Sequence, residues 1–293
     1  MERRFYTLDV FTTSRFEGNP LAVVTDGDGL SQDEMLAIAR EMNLAETVFV
    51  QKPTVDRALA RLRIFTTQEE LKLAGHPVVG TWYLLAELGV VPAQEGAVHI
   101  LQQTGAGVLP VEIFFHEGRP QRVTMTQKEA VFRPARFRKA ALAAALGLSP
   151  KDLDPGLEPE FVSTGIFNLM VPLRNRAALG RIEMNQTELR KVIGNSGTMA
   201  YCFAQDRREK TYARGMLPWE LYEDAATGSA AGSLGAYLVR RGKLAVGKTL
   251  RILQGVEMGR PSHIEVEVAR SGKKLIPRVS GAAVKVFEGT IRI

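Results

Sequence analysis

Apolar and polar positions alternate over residues 57–66, with Arg61 and Arg63 on one side and Leu62 and Ile64 on the other. Period two is the mark of a half-buried strand. Strand-like runs also occur at Phe5 to Phe11, Leu21 to Thr25 and Glu46 to Val50. The period changes behind Ser31, where Met35, Ile38, Ala39 and Met42 recur at helical spacing and Glu34 completes a capping box. Two further stretches, Val78 to Leu88 and Ala230 to Val239, are apolar nearly all round and run into Gly89 and Gly242. Such helices are central and buried, and glycine ends them. Between Thr66 and Lys72 the chain reads as a turn, and short strands follow Gly89 to about Thr126.

The second half repeats this grammar. An alanine-rich helix falls within Pro134 to Gly147, followed by strands at Phe161 to Thr164 and Asn168 to Leu173 and a short helix at Thr187 to Ile193. Strands at Thr198 to Gln205 and Tyr212 to Met216 lead through residues 221–229 into the second apolar helix. Three strand-like segments finish the chain, at Thr249 to Leu253, His263 to Ala269 and Leu275 to Phe287. The two apolar helices start alike: Gly75-His76-Pro77 and Gly228-Ser229-Ala230 each set glycine before a polar residue, with small residues and another glycine about one turn on. The two glycines are 153 residues apart, about one domain length, as an ancient duplication would leave them. A chain of 293 residues is long enough for two such domains.

Composition narrows the classes. An apolar fraction of 45% is globular, and a net charge of +6 suits a small anionic substrate. The basic clusters at Arg133 to Lys139, Arg207 to Lys210 and Arg240 to Lys243 are short and lack interleaved aromatics, so they read as solvated faces and no nucleic-acid partner is expected. No apolar run has the ~20 residues that cross a bilayer, and Asp9 interrupts the apolar residues after the basic start, so neither a membrane nor a signal peptide is expected and the setting is cytoplasmic. Four histidines and one cysteine lack metal-ligand spacing, and neither a P-loop lysine nor a strand followed by Gly-x-Gly-x-x-Gly is present. No metal and no cofactor are expected. Cys202 lies in an apolar strand and reads as an inert, packed thiol.

Candidate chemistry gathers at the matched helix starts. Their first N–H groups lack intrahelical partners and carry the positive end of the dipole, so they suit a carboxylate. Gly75 and Gly228 allow close backbone approach, and Pro77 fits the first helical position. His76 is favoured in its neutral form there, and Asp224, four residues before Gly228, can meet a substrate amine or hydroxyl. Glu46 lies where a helix gives way to a strand; by position it is either a cap or ion-pair partner, or a buried acid fit for moving protons. Ser229, His76 and Asp224 could instead form a hydrolase triad, although no Gly-x-Ser-x-Gly elbow surrounds Ser229. A binding protein without turnover is the non-enzymatic alternative.

At these residues the chain resembles the phenazine-biosynthesis F-type (PhzF-like) isomerases of the diaminopimelate-epimerase-like superfamily. The resemblance runs through residues 16–23, Asn43-Leu44-Ala45-Glu46-Thr47, Ile64 through Pro77, residues 223–230, and Gln254-Gly255 with residues 258–262. It implies an α/β (α+β) fold of two similar lobes, each a curled, mainly antiparallel sheet around a central helix. The lobes would span 1–128, completed by a last strand at about 282–293, and 129–281, with the active site in the cleft between them and a homodimer as the assembly. It also implies that Glu46 is the acid/base residue, and that Asn19, Gly75, His76, Asp224, Gly228, Ser229 and Ala230 surround the substrate. The family's defining member isomerises trans-2,3-dihydro-3-hydroxyanthranilate by moving a proton between ring carbons. Racemases of the superfamily carry a cysteine at each helix start; His76 and Ser229 stand near those places here, so two-thiol racemisation is excluded. Two departures stand out: Ala225 where the family commonly has proline, and Ala45 where serine usually precedes the glutamate.

Overall fold

A computed structural model describes residues 2–206, 210–219 and 222–293 of the chain, which divides into two compact units. The first comprises residues 1–126 with 280–293, and the second residues 127–279.

In the first unit the elements run β1 (Glu2–Val10), β2 (Asn19–Val24), α1 (Gln32–Met42), β3 (Glu46–Gln51), β4 (Ala60–Phe65), β5 (Glu70–Leu71), α2 (Gly75–Glu87), β6 (Gly96–Thr104), β7 (Gly107–His116) and β8 (Arg119–Thr126). The chain's last strand, Ala283–Arg292, returns to pair antiparallel with β1, whose other edge takes β2. β2 and β3 run parallel, β3 and β4 antiparallel, and β6, β7 and β8 form an antiparallel meander. Ser31 and Glu34 close the capping box of α1, whose Met35, Ile38 and Ala39 bury against Val24, Phe49 and Phe65. Helix α2 is buried from His76 through Trp82. Its indole has no water to bond, so Trp82 Nε1 donates to Gln102 Oε1 at 2.7 Å. Gly80 brings the helix onto the sheet: a Cβ there would lie 2.6 Å from Val10 Cγ2 and 2.7 Å from Leu21 Cδ2.

The second unit runs β9 (Val131–Pro134), α3 (Lys139–Ala145), β10 (Glu160–Ser163), β11 (Phe167–Pro172), α4 (Arg176–Gly180), α5 (Gln186–Ile193), β12 (Ala200–Gln205), β13 (Thr211–Met216), β14 (Glu223–Asp224), α6 (Gly228–Arg240), β15 (Leu250–Gln254), β16 (Ser262–Ser271) and β17 (Lys274–Gly281), the last reaching the boundary at Val279. Antiparallel pairs dominate, with parallel steps between β11 and β12 and between β13 and β15. Gly235 seats α6 on β16, because a Cβ there would come within 2.6 Å of Val266 Cγ1. The mixed, mainly antiparallel sheets with few helices match the expected fold class.

Both central helices have 13 residues, and Gly89 and Gly242 follow them at φ 75° and 68°. Several expectations needed correction. The segment Leu275 to Phe287 is two strands, not one, because the chain turns aside at Ala282, whose carbonyl accepts Phe11 N at 2.8 Å. The turn at Thr66 to Lys72 contains β5, and the strands before Thr126 run for 8 to 10 residues. The alanine-rich helix is confined to α3, while Pro134 belongs to β9 opposite Glu160. Pro77 occupies the third helical position rather than the first, so it removes one of the N–H donors at that end. Arg240 and Arg241 do not form a merely solvated face, since both reach the buried carboxylate of Glu160 at 3.1 Å. Residues 207–209 of the remaining basic cluster and residue 221 lie outside the described residues. Among the described residues no helix is long and apolar enough to cross a membrane.

Gly80→Ala tests the α2 contact. Alanine would gain about 1 kcal/mol of helix propensity, but overpacking costs about 1–3 kcal/mol. Urea unfolding is expected to show a net loss of about 1–2 kcal/mol, whereas a gain would mean that the helix does not approach Val10 and Leu21 so closely.

Candidate active site

In the first unit, the β1–β2 connection is held from within. Asp9, buried on β1, accepts Phe16 N at 2.6 Å, with Phe16 at φ 71° and Gly18 at φ 67°. A Cβ on Gly18 would run into the Val10 carbonyl, so the turn requires glycine. Asn19 then opens β2 opposite Val10 and is buried. Asn43 ends α1 in the left-handed region at φ 49°, and three residues later Glu46 opens β3, paired with Leu21. Asn19 and Glu46 therefore sit near one end of the parallel β2–β3 pair.

Helix α2 supplies the partner of Glu46. With Gly80 against Val10 and Leu21, its first turn brings His76 Nε2 to 3.1 Å from Glu46 Oε2. The side chains are 7% and 16% exposed. An ion pair would fit that distance, but burial holds His76 down to about 3, and the positive helix end opposes imidazolium as well. The imidazole is neutral at physiological pH. The two atoms face each other across 3.1 Å but are not aligned as a hydrogen bond with one another; a small reorientation lets neutral His76 donate to the Glu46 carboxylate or accept from its carboxylic acid. No side chain caps the α2 start at Ala74 and no acid lies in the first turn, which leaves the N–H groups of Gly75 and His76 as donors there.

In the second unit, Asp224 pairs with Gly215 across β13 and β14. Its neighbour Glu223 forms a buried, two-pronged ion pair with Arg214 at 2.9 and 2.6 Å, which anchors the short strand. Asp224 Oδ2 accepts the Thr227 hydroxyl at 2.6 Å. Thr227 is also the residue before α6, yet its side chain makes no cap bond, so Gly228, Ser229 and Ala230 begin the helix uncapped by it. Gln127 Nε2 donates to the Gly228 carbonyl at 2.9 Å, and the Ser229 carbonyl accepts from Thr164 Oγ1 at 3.2 Å and Ser233 Oγ at 3.0 Å.

Each unit thus groups its own share of the expected residues: Asn19, Glu46, Gly75 and His76 in the first, and Asp224, Gly228, Ser229 and Ala230 in the second. Cys202 is fully buried in β12, where burial pushes its thiol up. His99 and His116 are exposed and lie against Glu112 and Glu95. Among the described residues no cluster of three or more His, Cys, Asp or Glu is placed to hold a metal. Thr227 lies in the 223–230 motif and Gln254 in the Gln254-Gly255 motif, neither with a role assigned from sequence, and no local signal marks Gln127.

A sequence profile for phenazine biosynthesis-like proteins matches residues 8–289. The chain belongs to this family of PhzF-like isomerases. An uncharacterized isomerase of Mesorhizobium japonicum is 37% identical, with 100% of both chains covered. The trans-2,3-dihydro-3-hydroxyanthranilate isomerase of Pseudomonas aeruginosa is 33% identical over 98% of both chains. Among solved structures, a PhzF-family phenazine biosynthesis protein of Bacillus anthracis superposes with a TM-score of 0.91 at 30% identity, covering 100% of each chain. The PhzF-like fold and isomerase class therefore agree with the resemblance read from the motifs.

The buried imidazole makes stability depend on pH. Unfolded His76 takes a proton near its ordinary pKa of about 6.5, whereas the folded form resists it down to about 3. Between those values the unfolded state binds more protons, so stability falls as pH falls. Urea midpoints at about pH 7 and about pH 5 should show wild type losing about 1–2 kcal/mol more than His76→Gln. Equal losses would mean that His76 is not held neutral.

Proposed function

We propose that this chain moves a proton between carbon atoms of a small cyclic carboxylate, trans-2,3-dihydro-3-hydroxyanthranilate or a close relative, with Glu46 as both acid and base. The observation that carries this reading is the 3.1 Å contact between Glu46 and a buried, neutral imidazole at a helix start that no side chain caps. A base needs a carboxylate that gives up and takes back one proton without a permanent cation to trap it. Neutral His76 meets that need, since it stands beside the carboxyl group and adds no charge.

In the proposed reaction Glu46 takes a proton from a ring carbon: the C–H bond breaks, an O–H bond forms on the carboxyl group, and the electron pair moves into the conjugated system. The double bonds shift. Glu46 then returns the proton to another carbon on the same face. Nothing is oxidised or reduced, so no cofactor is called for. The substrate carboxylate would be met by N–H groups at the helix starts, and Asp224 would accept from the substrate amine. The departure at Ala45 removes a hydroxyl beside Glu46 and bears on which substrate is taken.

Proton exchange followed by NMR in deuterium oxide tests this, begun with trans-2,3-dihydro-3-hydroxyanthranilate and extended to other small cyclic or unsaturated carboxylates. Wild type should place deuterium on a ring carbon, and Glu46→Gln should slow this by roughly a hundredfold or more. Exchange by the Gln variant at the wild-type rate rules Glu46 out as the base. Asp224→Asn should raise KM by roughly tenfold with a smaller change in kcat.

A further inference from the structure

Gln254 ends β15, is wholly buried, and belongs to a motif that neither the base nor the helix starts explain. Its amide makes four contacts. Oε1 accepts from Thr227 N at 3.1 Å and from the Tyr201 hydroxyl at 2.8 Å; Nε2 donates to the Asp224 carbonyl at 2.8 Å and to Thr227 Oγ1 at 3.0 Å. These use every donor and acceptor site the amide has. An amide flip is ordinarily ambiguous, but here it is settled by chemistry, because the backbone N–H of Thr227 can only donate and the backbone carbonyl of Asp224 can only accept.

The orientation propagates. Since Thr227 Oγ1 accepts from Gln254, its own hydrogen points onward, to Asp224 Oδ2 at 2.6 Å. Threonine before a helix ordinarily turns its oxygen onto the first N–H groups, and this one is turned away, which is why α6 starts without a side-chain cap. Glycines make the room. A Cβ on Gly215 would lie 3.0 Å from Thr227 Oγ1, and Gly255, at φ 77°, takes a conformation that side chains resist beside the Ala225 carbonyl. The turn with Ala225 in place of proline is thus tied by Gln254 at both its ends.

We propose that Gln254, acting through Thr227, is a positioning residue that holds Asp224 as a hydrogen-bond acceptor and keeps the α6 start uncapped, so that this turn takes a substrate carrying a donor, such as an amine, together with an anionic group. This rests on the reading that Asp224 binds substrate. The charged and titratable groups around the turn include Tyr201, whose phenol burial and the charge of Asp224 push up, the ion pair of Glu223 on the same short strand with Arg214 on β13, and Glu257, whose charge acts on Arg214. Tyr201 therefore stays a donor, and the ion pair contributes no net charge.

The experiment follows the Asp224 carboxyl carbon by 13C NMR through a pH titration, assigned with Asp224→Asn, in wild type, Thr227→Val and Thr227→Ser. Valine keeps the shape and the backbone N–H but loses the donor. The Asp224 midpoint should move to higher pH in Thr227→Val and stay near wild type in Thr227→Ser. An unchanged midpoint in Thr227→Val overturns the proposal whether or not Asp224 meets substrate. KM measured with trans-2,3-dihydro-3-hydroxyanthranilate separates the two readings. Thr227→Val should raise it by roughly tenfold in the wild-type background and add nothing in Asp224→Asn. Asp224→Asn without effect on KM overturns the binding role of Asp224 alone. Gln254→Glu, which cannot donate to Thr227, should reproduce the Thr227→Val shift; a wild-type midpoint in that variant removes Gln254 from the relay.

Discussion

A carboxyl group and an imidazole buried 3.1 Å apart avoid a fixed ion pair only if the imidazole stays neutral, and much of the first unit arranges for that. Burial supplies most of the effect and the helix end adds to it. The contact exists because α2 lies tightly on β1 and β2 through Gly80 while Glu46 opens the parallel neighbour of β2. A bulkier residue at Gly80 or a longer α1–β3 connection would separate the pair. Packing and chemistry are here the same constraint.

The two central helices answer a common design with different side chains. Both begin with glycine, neither is capped by a side chain, and both are buried along their length. Proline at the third position costs α2 one donor, and its histidine faces Glu46 at 3.1 Å. Helix α6 keeps the N–H groups of Gly228, Ser229 and Ala230, and the hydroxyl that would have capped it is committed to Asp224. The two starts thus set different side chains on one backbone pattern.

What could be read from the sequence follows the range of the forces involved. The capping box of α1, the half-buried β4 and the two apolar helices are local patterns, and all were legible. The break at Ala282 was not, because it depends on Phe11, 271 positions away in the chain. The pairing of Arg240 and Arg241 with Glu160 was hidden for the same reason. Glu46 was ambiguous by position alone; its buried neighbour comes from a helix thirty residues further on. Gln254 stands in a sequence motif without a legible role, since its three partner residues meet only once β12, β15 and the α6 turn are assembled.

The protonation state of His76 tests the account most directly. Protein labelled with 15N-histidine, with His76→Gln to assign the signal, is followed from about pH 8 to about pH 5, across the ordinary imidazole range. The account predicts that both ring nitrogens of His76 keep neutral-imidazole shifts throughout. A transition to imidazolium with a midpoint near 6.5 would contradict it.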